Sequence, residues 1–158
     1  MSKFHLLSEP WIPVVWSDGR RSELSLTDVL RHAPSIERLD VALPTEEAAL
    51  YRLLLAVLHR ALGGPTTEDD LHDLWERQAF PDDPLDRYFD RWSDRFWLFH
   101  DSAPFFQIAD LPDDMAKPWV RLFVDGGSPT LFDHTTDENF PSATYAQAVR
   151  ALLAHQSY

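Results

Sequence analysis

The chain opens on short apolar stretches separated by turn residues, the pattern of strands. Phe4-His5-Leu6-Leu7 is one such stretch. From Trp11 to Trp16 the apolar positions alternate loosely, and β-branched Ile12, Val14 and Val15 favour extended backbone. Pro10 and Pro13 predict a place at a sheet edge, because proline has no N–H for a ladder. Ser17-Asp18-Gly19-Arg20 predicts a hairpin turn, its Asp-Gly pair supplying positive φ, and a second strand then covers residues 21–24. Ser25 or Thr27 caps a short helix ending near His32, ahead of Ala33-Pro34. Residues 36–43 read as extended.

From Pro44 the period changes. Leu50, Leu54, Val57, Leu58 and Ala61 recur at helical spacing, and Leu53, Leu55 and Leu62 widen the apolar surface. Arg52, His59 and Arg60 leave only a narrow polar stripe, which predicts a helix over 46–62 buried on most sides. Gly63-Gly64-Pro65 stops it. Residues 66–70 bring caps and first-turn acids for a next helix, with Leu71, Leu74 and Trp75 on one face. Pro81-Asp82-Asp83-Pro84 ends that helix and starts a third, in which Leu85, Tyr88, Phe89, Trp92 and Phe96 share a face. Trp97-Leu98-Phe99 and Ala103-Pro104-Phe105-Phe106-Gln107 read as chain passing through a core. Residues 109–118 predict a polar loop, 119–124 a helix end or strand, and 125–129 a turn. Residues 131–139 form an exposed loop, and Ser142 caps a last helix with Tyr145, Val149, Leu152 and Leu153 on one face. The fold class is α+β: a small N-terminal antiparallel strand region over 1–43, then a mainly helical body over 44–158, with neither a Rossmann fold nor a barrel. The last apolar stripe has no visible partner after it, so the ending reads like a cut.

Composition narrows the function. The 158 residues carry 14 Lys+Arg against 26 Asp+Glu, a formal charge of −12. Residues 1–65 hold eight acids and seven bases, whereas 66–101 hold eleven and four. Such a chain is expected to grip nucleic acid poorly on its own, since phosphate contacts need Lys and Arg. Six Trp, ten Phe and four Tyr are too many for a disordered acidic segment. The absence of Cys excludes disulfides and thiolate metal sites. No apolar run is long enough for a membrane helix and no signal-peptide h-region opens the chain, so the expectation is a cytoplasmic protein.

Catalysis has little support. There is no G-x-S-x-G elbow and no phosphate loop, and Gly63-Gly64 and Gly126-Gly127 are isolated turns. The acids Glu46/Glu47, Glu68/Asp69/Asp70 and Asp82/Asp83 complement helix dipoles in preference to forming acid–base pairs. His134 with Asp133, Asp137 and Glu138 has metal-ligand types at close spacing but falls short of an ordered ligand set, so no metal is assigned. His59 belongs to the polar stripe, and His72 lies on another helix. Trp92 and Phe96 have the chemistry of base-stacking platforms, yet their helical spacing makes them core. Arg20 and Arg21, with Lys3, read as the only basic cluster, a solvated turn in preference to a phosphate or acidic-partner contact. On the 131–140 loop Phe132 reads either as an exposed wedge or as an anchor tucked under the chain.

Leu6-Leu7-Ser8-Glu9-Pro10-Trp11-Ile12-Pro13-Val14 resembles the N-terminal signature of the CasA family, the large subunit of the type I-E CRISPR Cascade complex. The Asp-Gly hairpin, Ser25-Leu26-Thr27-Asp28, the Leu-rich helix and Pro104-Phe105-Phe106-Gln107 follow in the family's order. Leu131-Phe132-Asp133-His134 falls where that family has its first DNA-interrogating loop. The resemblance implies a non-catalytic, cofactor-free subunit that helps recognise the protospacer-adjacent motif, bind target double-stranded DNA and recruit a helicase-nuclease. Its implied partners are the other Cascade subunits and the guide RNA. Such systems leave sequence reading to base pairing and let protein read the short motif. Phe132 matches the loop's aromatic and His134 its polar contact, with Asp133 and Thr135 as neighbours. The chain then corresponds to the front portion of the large subunit's N-terminal domain, without the family's glycine-rich segment and C-terminal helical bundle. The competing reading is an acidic protein-interaction domain with no nucleic-acid function.

Overall fold

The computed structural model describes residues 3–112, 115 and 142–157. Strand β1 (Lys3–His5) pairs antiparallel with β5 (Trp97–Phe99), joining segments more than ninety residues apart. Strands β2 (Ile12–Trp16), β3 (Arg21–Leu24) and β4 (Ile36–Leu39) form a second antiparallel sheet in the order β3-β2-β4. The 17–20 turn adopts the expected conformation, with Gly19 at φ 83°.

Strand β2 does not lie at the sheet edge that its prolines predict. It is the central strand, and Pro13 sits inside it, opposite Glu23. The β4 ladder begins only at Val14, opposite Leu39. At Pro13 the neighbouring chain asks for an acceptor alone, since the Asp40 N–H donates to the Pro13 carbonyl at 2.8 Å. Proline therefore costs this strand no ladder bond.

Helix α1 (Leu26–Arg31) is capped by Ser25, whose Oγ accepts the Asp28 N–H. Helix α2 (Pro44–Leu62) has proline in its first turn and Gly63 in the left-handed region after its last. It is less enclosed than its composition predicts: Ala49, Leu50, Leu53, Leu54 and Val57 are buried, but Leu55 is 63% exposed and Tyr51 is exposed too. Helix α3 (Glu68–Glu76) starts with a reciprocal Thr67–Asp70 capping box. Its predicted apolar face is not covered: Leu71 is exposed and Trp75 is 83% exposed. Helix α4 (Asp82–Trp92) runs into a 3-10 turn (Ser93–Phe96), and Leu85, Phe89 and Phe96 enter the core.

Helix α5 (Tyr145–Ser157) is capped by Thr144, not Ser142: the Gln147 N–H donates to Thr144 Oγ1, and Gln147 Oε1 accepts the Thr144 N–H. Its apolar stripe packs on α2, far upstream. One core unites both sheets and helices, with Leu6, Trp11, Ile12, Val14, Leu26, Leu50 and Val149 inaccessible to solvent. The architecture is α+β, with β5 falling inside the mainly helical part. The expectations for residues 116–141 lie outside the described residues.

Candidate nucleic-acid interface

Phe132, Asp133, His134 and Thr135 lie outside the described residues, as do the remaining members of the 133–138 acidic set. What the structure places is the frame on either side of that segment. On its N-terminal side, Phe105 is buried against Phe96 with ring centroids 5.9 Å apart. The Gln107 side chain donates to the carbonyl of Leu98 at 2.8 Å and to that of Phe105 at 3.2 Å. The Pro-Phe-x-Gln element is thus a clamp that ties its own turn to β5. Phe106, between the two, is exposed and holds a positive φ of 52°.

On the C-terminal side, the Tyr145 ring meets Phe4 and Phe99 edge-on at 5.5 and 5.3 Å. Those two rings come from β1 and β5, so Tyr145 docks the start of α5 onto the small sheet. Arg150 docks the middle of that helix. Its guanidinium donates to the Trp11 carbonyl at 2.7 Å, pairs with Glu23 at 3.2 Å, and lies 3.8 Å from Glu46. Arg150 and Glu46 are only 12% and 13% exposed. Burial raises the Glu46 carboxyl above its ordinary range, and the nearby Arg150 charge only partly offsets that.

Trp11 is the junction of this frame. Its indole N–H donates to the Leu6 carbonyl at 2.9 Å, and its backbone N–H donates to Leu24. The Leu6 carbonyl also accepts the Leu26 N–H. The opening signature is therefore structural: its apolar members fill the core and its backbone ties strands to α1 and α5. Only Ser8, Glu9 and Pro10 in it are exposed.

The basic cluster seen in the sequence is neutralised locally. Arg20 pairs with Asp18 at 2.7 Å and lies over the Trp16 ring, while Arg21 and Arg38 both reach Asp40 at 3.5 Å. Hydrogen bonds from the Arg20 backbone and side chain hold the Asp18 carboxyl below its usual range. Lys3 belongs to the other sheet. This cluster is also not the only one. Arg60, Arg87 and Arg91, scattered in sequence, line one cleft between α2 and α4 with Tyr88 and Trp92. The helical spacing of residues 87 and 91 carried half of that signal, but nothing local pointed to residue 60. His59 and His72 are both exposed, and the His59 ring covers Gly64. Among the described residues, no group of three metal-ligating side chains converges.

Residues 5–158 match the family described as CRISPR-associated protein Cse1. The chain belongs to this family. It is 52% identical to the CRISPR-associated protein CasA/Cse1 of Thermus thermophilus, over all of this chain and 32% of that protein. The chain thus spans about a third of the length of the curated relative it matches. The solved Thermus thermophilus CasA superimposes with a TM-score of 0.84 at 48% identity, covering 99% of this chain and 31% of that one. A chain of a CRISPR RNA-guided surveillance complex shares the fold with a TM-score of 0.79 at 23% identity, covering 98% of this chain and 34% of that one. The Cse1 match spans both the Trp11 junction and the Gln107 clamp.

Proposed function

We propose that this Cse1-family chain acts as the front portion of a non-catalytic subunit in a type I-E RNA-guided surveillance complex. In that role it contributes to recognising the short motif beside a DNA target, to binding the duplex and to recruiting a helicase-nuclease, in the cytoplasm. The observation that carries this reading is the Cse1 match over residues 5–158. The 131–135 loop is the proposed contact, with Phe132 against a base or a neighbouring subunit and His134 supplying a polar contact. Asp133 and Thr135 flank them, and the acids there suit a contact that does not grip phosphate.

Co-expression with the other subunits and a guide RNA tests this. The chain, within its full-length polypeptide, co-purifies with them and promotes binding of motif-containing duplex DNA. Failure of both overturns the proposal. Phe132→Ala lowers target affinity by about tenfold if a stacking contact is lost, with the melting temperature unchanged. Unchanged affinity removes Phe132 from the site. The exposed Leu55, Leu71 and Trp75 favour a second reading, an acidic protein-interaction domain. Association with protein subunits that survives removal of all nucleic acid, together with no effect on DNA binding, would select it.

A further inference from the structure

The cleft between α2 and α4 has a volume of about 740 Å³ and collects Arg60, Arg87 and Arg91 around Tyr88 and Trp92. All three arginines are exposed, and none has an ion pair among the described residues. Arg52, Arg77 and Arg95 likewise have no ion pair among the described residues, but they do not share this lining. Arg20, Arg21, Arg31, Arg38 and Arg150 all have carboxylate partners. On α4 two of the acids are engaged by another helix. Asp82 and Asp86 turn toward Arg31 of α1, at 3.9 and 2.6 Å, and leave Arg87 and Arg91 on the cleft side. One carboxylate, Asp90, shares the lining.

Arg60 and Arg91 stand in the last turns of their helices, where a cation complements the dipole. The dipole accounts for a cation at each end. It does not account for Arg87, or for two helices facing their arginines into one cleft beside half-buried aromatic rings. The Arg91 guanidinium lies 5.3 Å from the centre of the Trp92 ring, and Arg60 shares the lining with Tyr88. Guanidinium forks match phosphate oxygens, and aromatic faces accept unstacked bases. A duplex hides its base faces, so this combination fits a single strand. The −12 net charge repels a strand at long range, but at physiological salt such repulsion fades beyond about 8 Å.

We propose that this cleft binds a short stretch of single-stranded nucleic acid, with Arg60, Arg87 and Arg91 on successive phosphates and Trp92 with Tyr88 facing a base. The cleft is assigned on its own residues, independently of Phe132 and His134. Fluorescein-labelled U12 and dT12 oligonucleotides, followed by anisotropy, are the probes. Three phosphate contacts on a single strand predict that affinity falls about twentyfold between 50 and 200 mM salt. The Arg60→Ala/Arg87→Ala/Arg91→Ala variant binds more weakly and loses most of that salt dependence. The balance between U12 and dT12 tells whether guide-like RNA or opened DNA is the occupant.

The proposal is overturned if neither oligonucleotide binds, or if the triple variant keeps the affinity and salt slope. A glutamate dodecapeptide binding more tightly than both oligonucleotides would also overturn it and assign the cleft to an acidic protein segment. A circular-dichroism melt of the triple variant separates loss of the cleft from loss of fold. A chain that fails this test yet assembles with guide RNA and subunits leaves the proposed complex role standing.

Discussion

At the N-terminal end of α2, Glu46 meets Arg150 in a nearly closed niche, and that guanidinium also holds Trp11 and Glu23. At the C-terminal end of the same helix, Arg60 faces an open cleft with Arg87 and Arg91 and no carboxylate partner among the described residues. One residue type thus does two jobs within a single helix length. A guanidinium enclosed with its partners fixes the fold, because leaving any of those partners alone and dehydrated is costly. A hydrated guanidinium contributes little to folding and remains available to a ligand.

That contrast breaks most readily at Arg150. Arg150→Met removes the bond to the Trp11 carbonyl and strands Glu46, and urea unfolding is expected to show a loss of about 3 kcal/mol. A loss under about 1 kcal/mol would put Arg150 in the same class as the exposed arginines.

A smaller effect comes from Glu46 itself. Its folded-state carboxyl holds its proton more tightly than in the unfolded chain, so its contribution favours the fold below its ordinary value of 4.5 and is lost as pH rises through the raised folded value. Glu46→Gln should flatten that fall, read as the difference between the two proteins' stability–pH curves. In Arg150→Met the fall should steepen, because the charge that moderates the shift is gone. Asp18 and Asp70 work with the opposite sign. Hydrogen bonds from Arg20, and from Thr66 and Thr67, hold their carboxyls low, so their contributions are lost as pH drops through those lowered values.

The smallest expected effect is at the other end of α2. Arg60→Ala/Arg87→Ala/Arg91→Ala should change folding stability by no more than about 0.5 kcal/mol per site in thermal or urea melts. A larger loss would mean that the cleft is structural after all.

The same division governs what could be read before the fold was known. The α2 period, the Gly63 stop, the Thr67–Asp70 cap and the Asp18-Gly19 turn were legible, because each depends on neighbours within about one helical turn. The exposure of Trp75 was not, since amphipathicity states which face is apolar without stating whether anything covers it. The central place of β2 was missed because the proline rule assumes that a strand needs its N–H, and at Pro13 the neighbour needs only the carbonyl. The Phe132 and His134 assignments came from resemblance and remain proposals.

By itself the sequence determined the order and kind of most elements, the α+β class, the absence of thiol chemistry and the family resemblance, all properties of local pattern and residue type. Tertiary structure alone decided that β1 meets β5, that the last helix closes on α2, that Arg150 is consumed by the core, and that Arg60 joins Arg87 and Arg91 across a cleft. Those contacts link residues tens of positions apart, and a charge is spent or spare only in relation to what folding brings beside it.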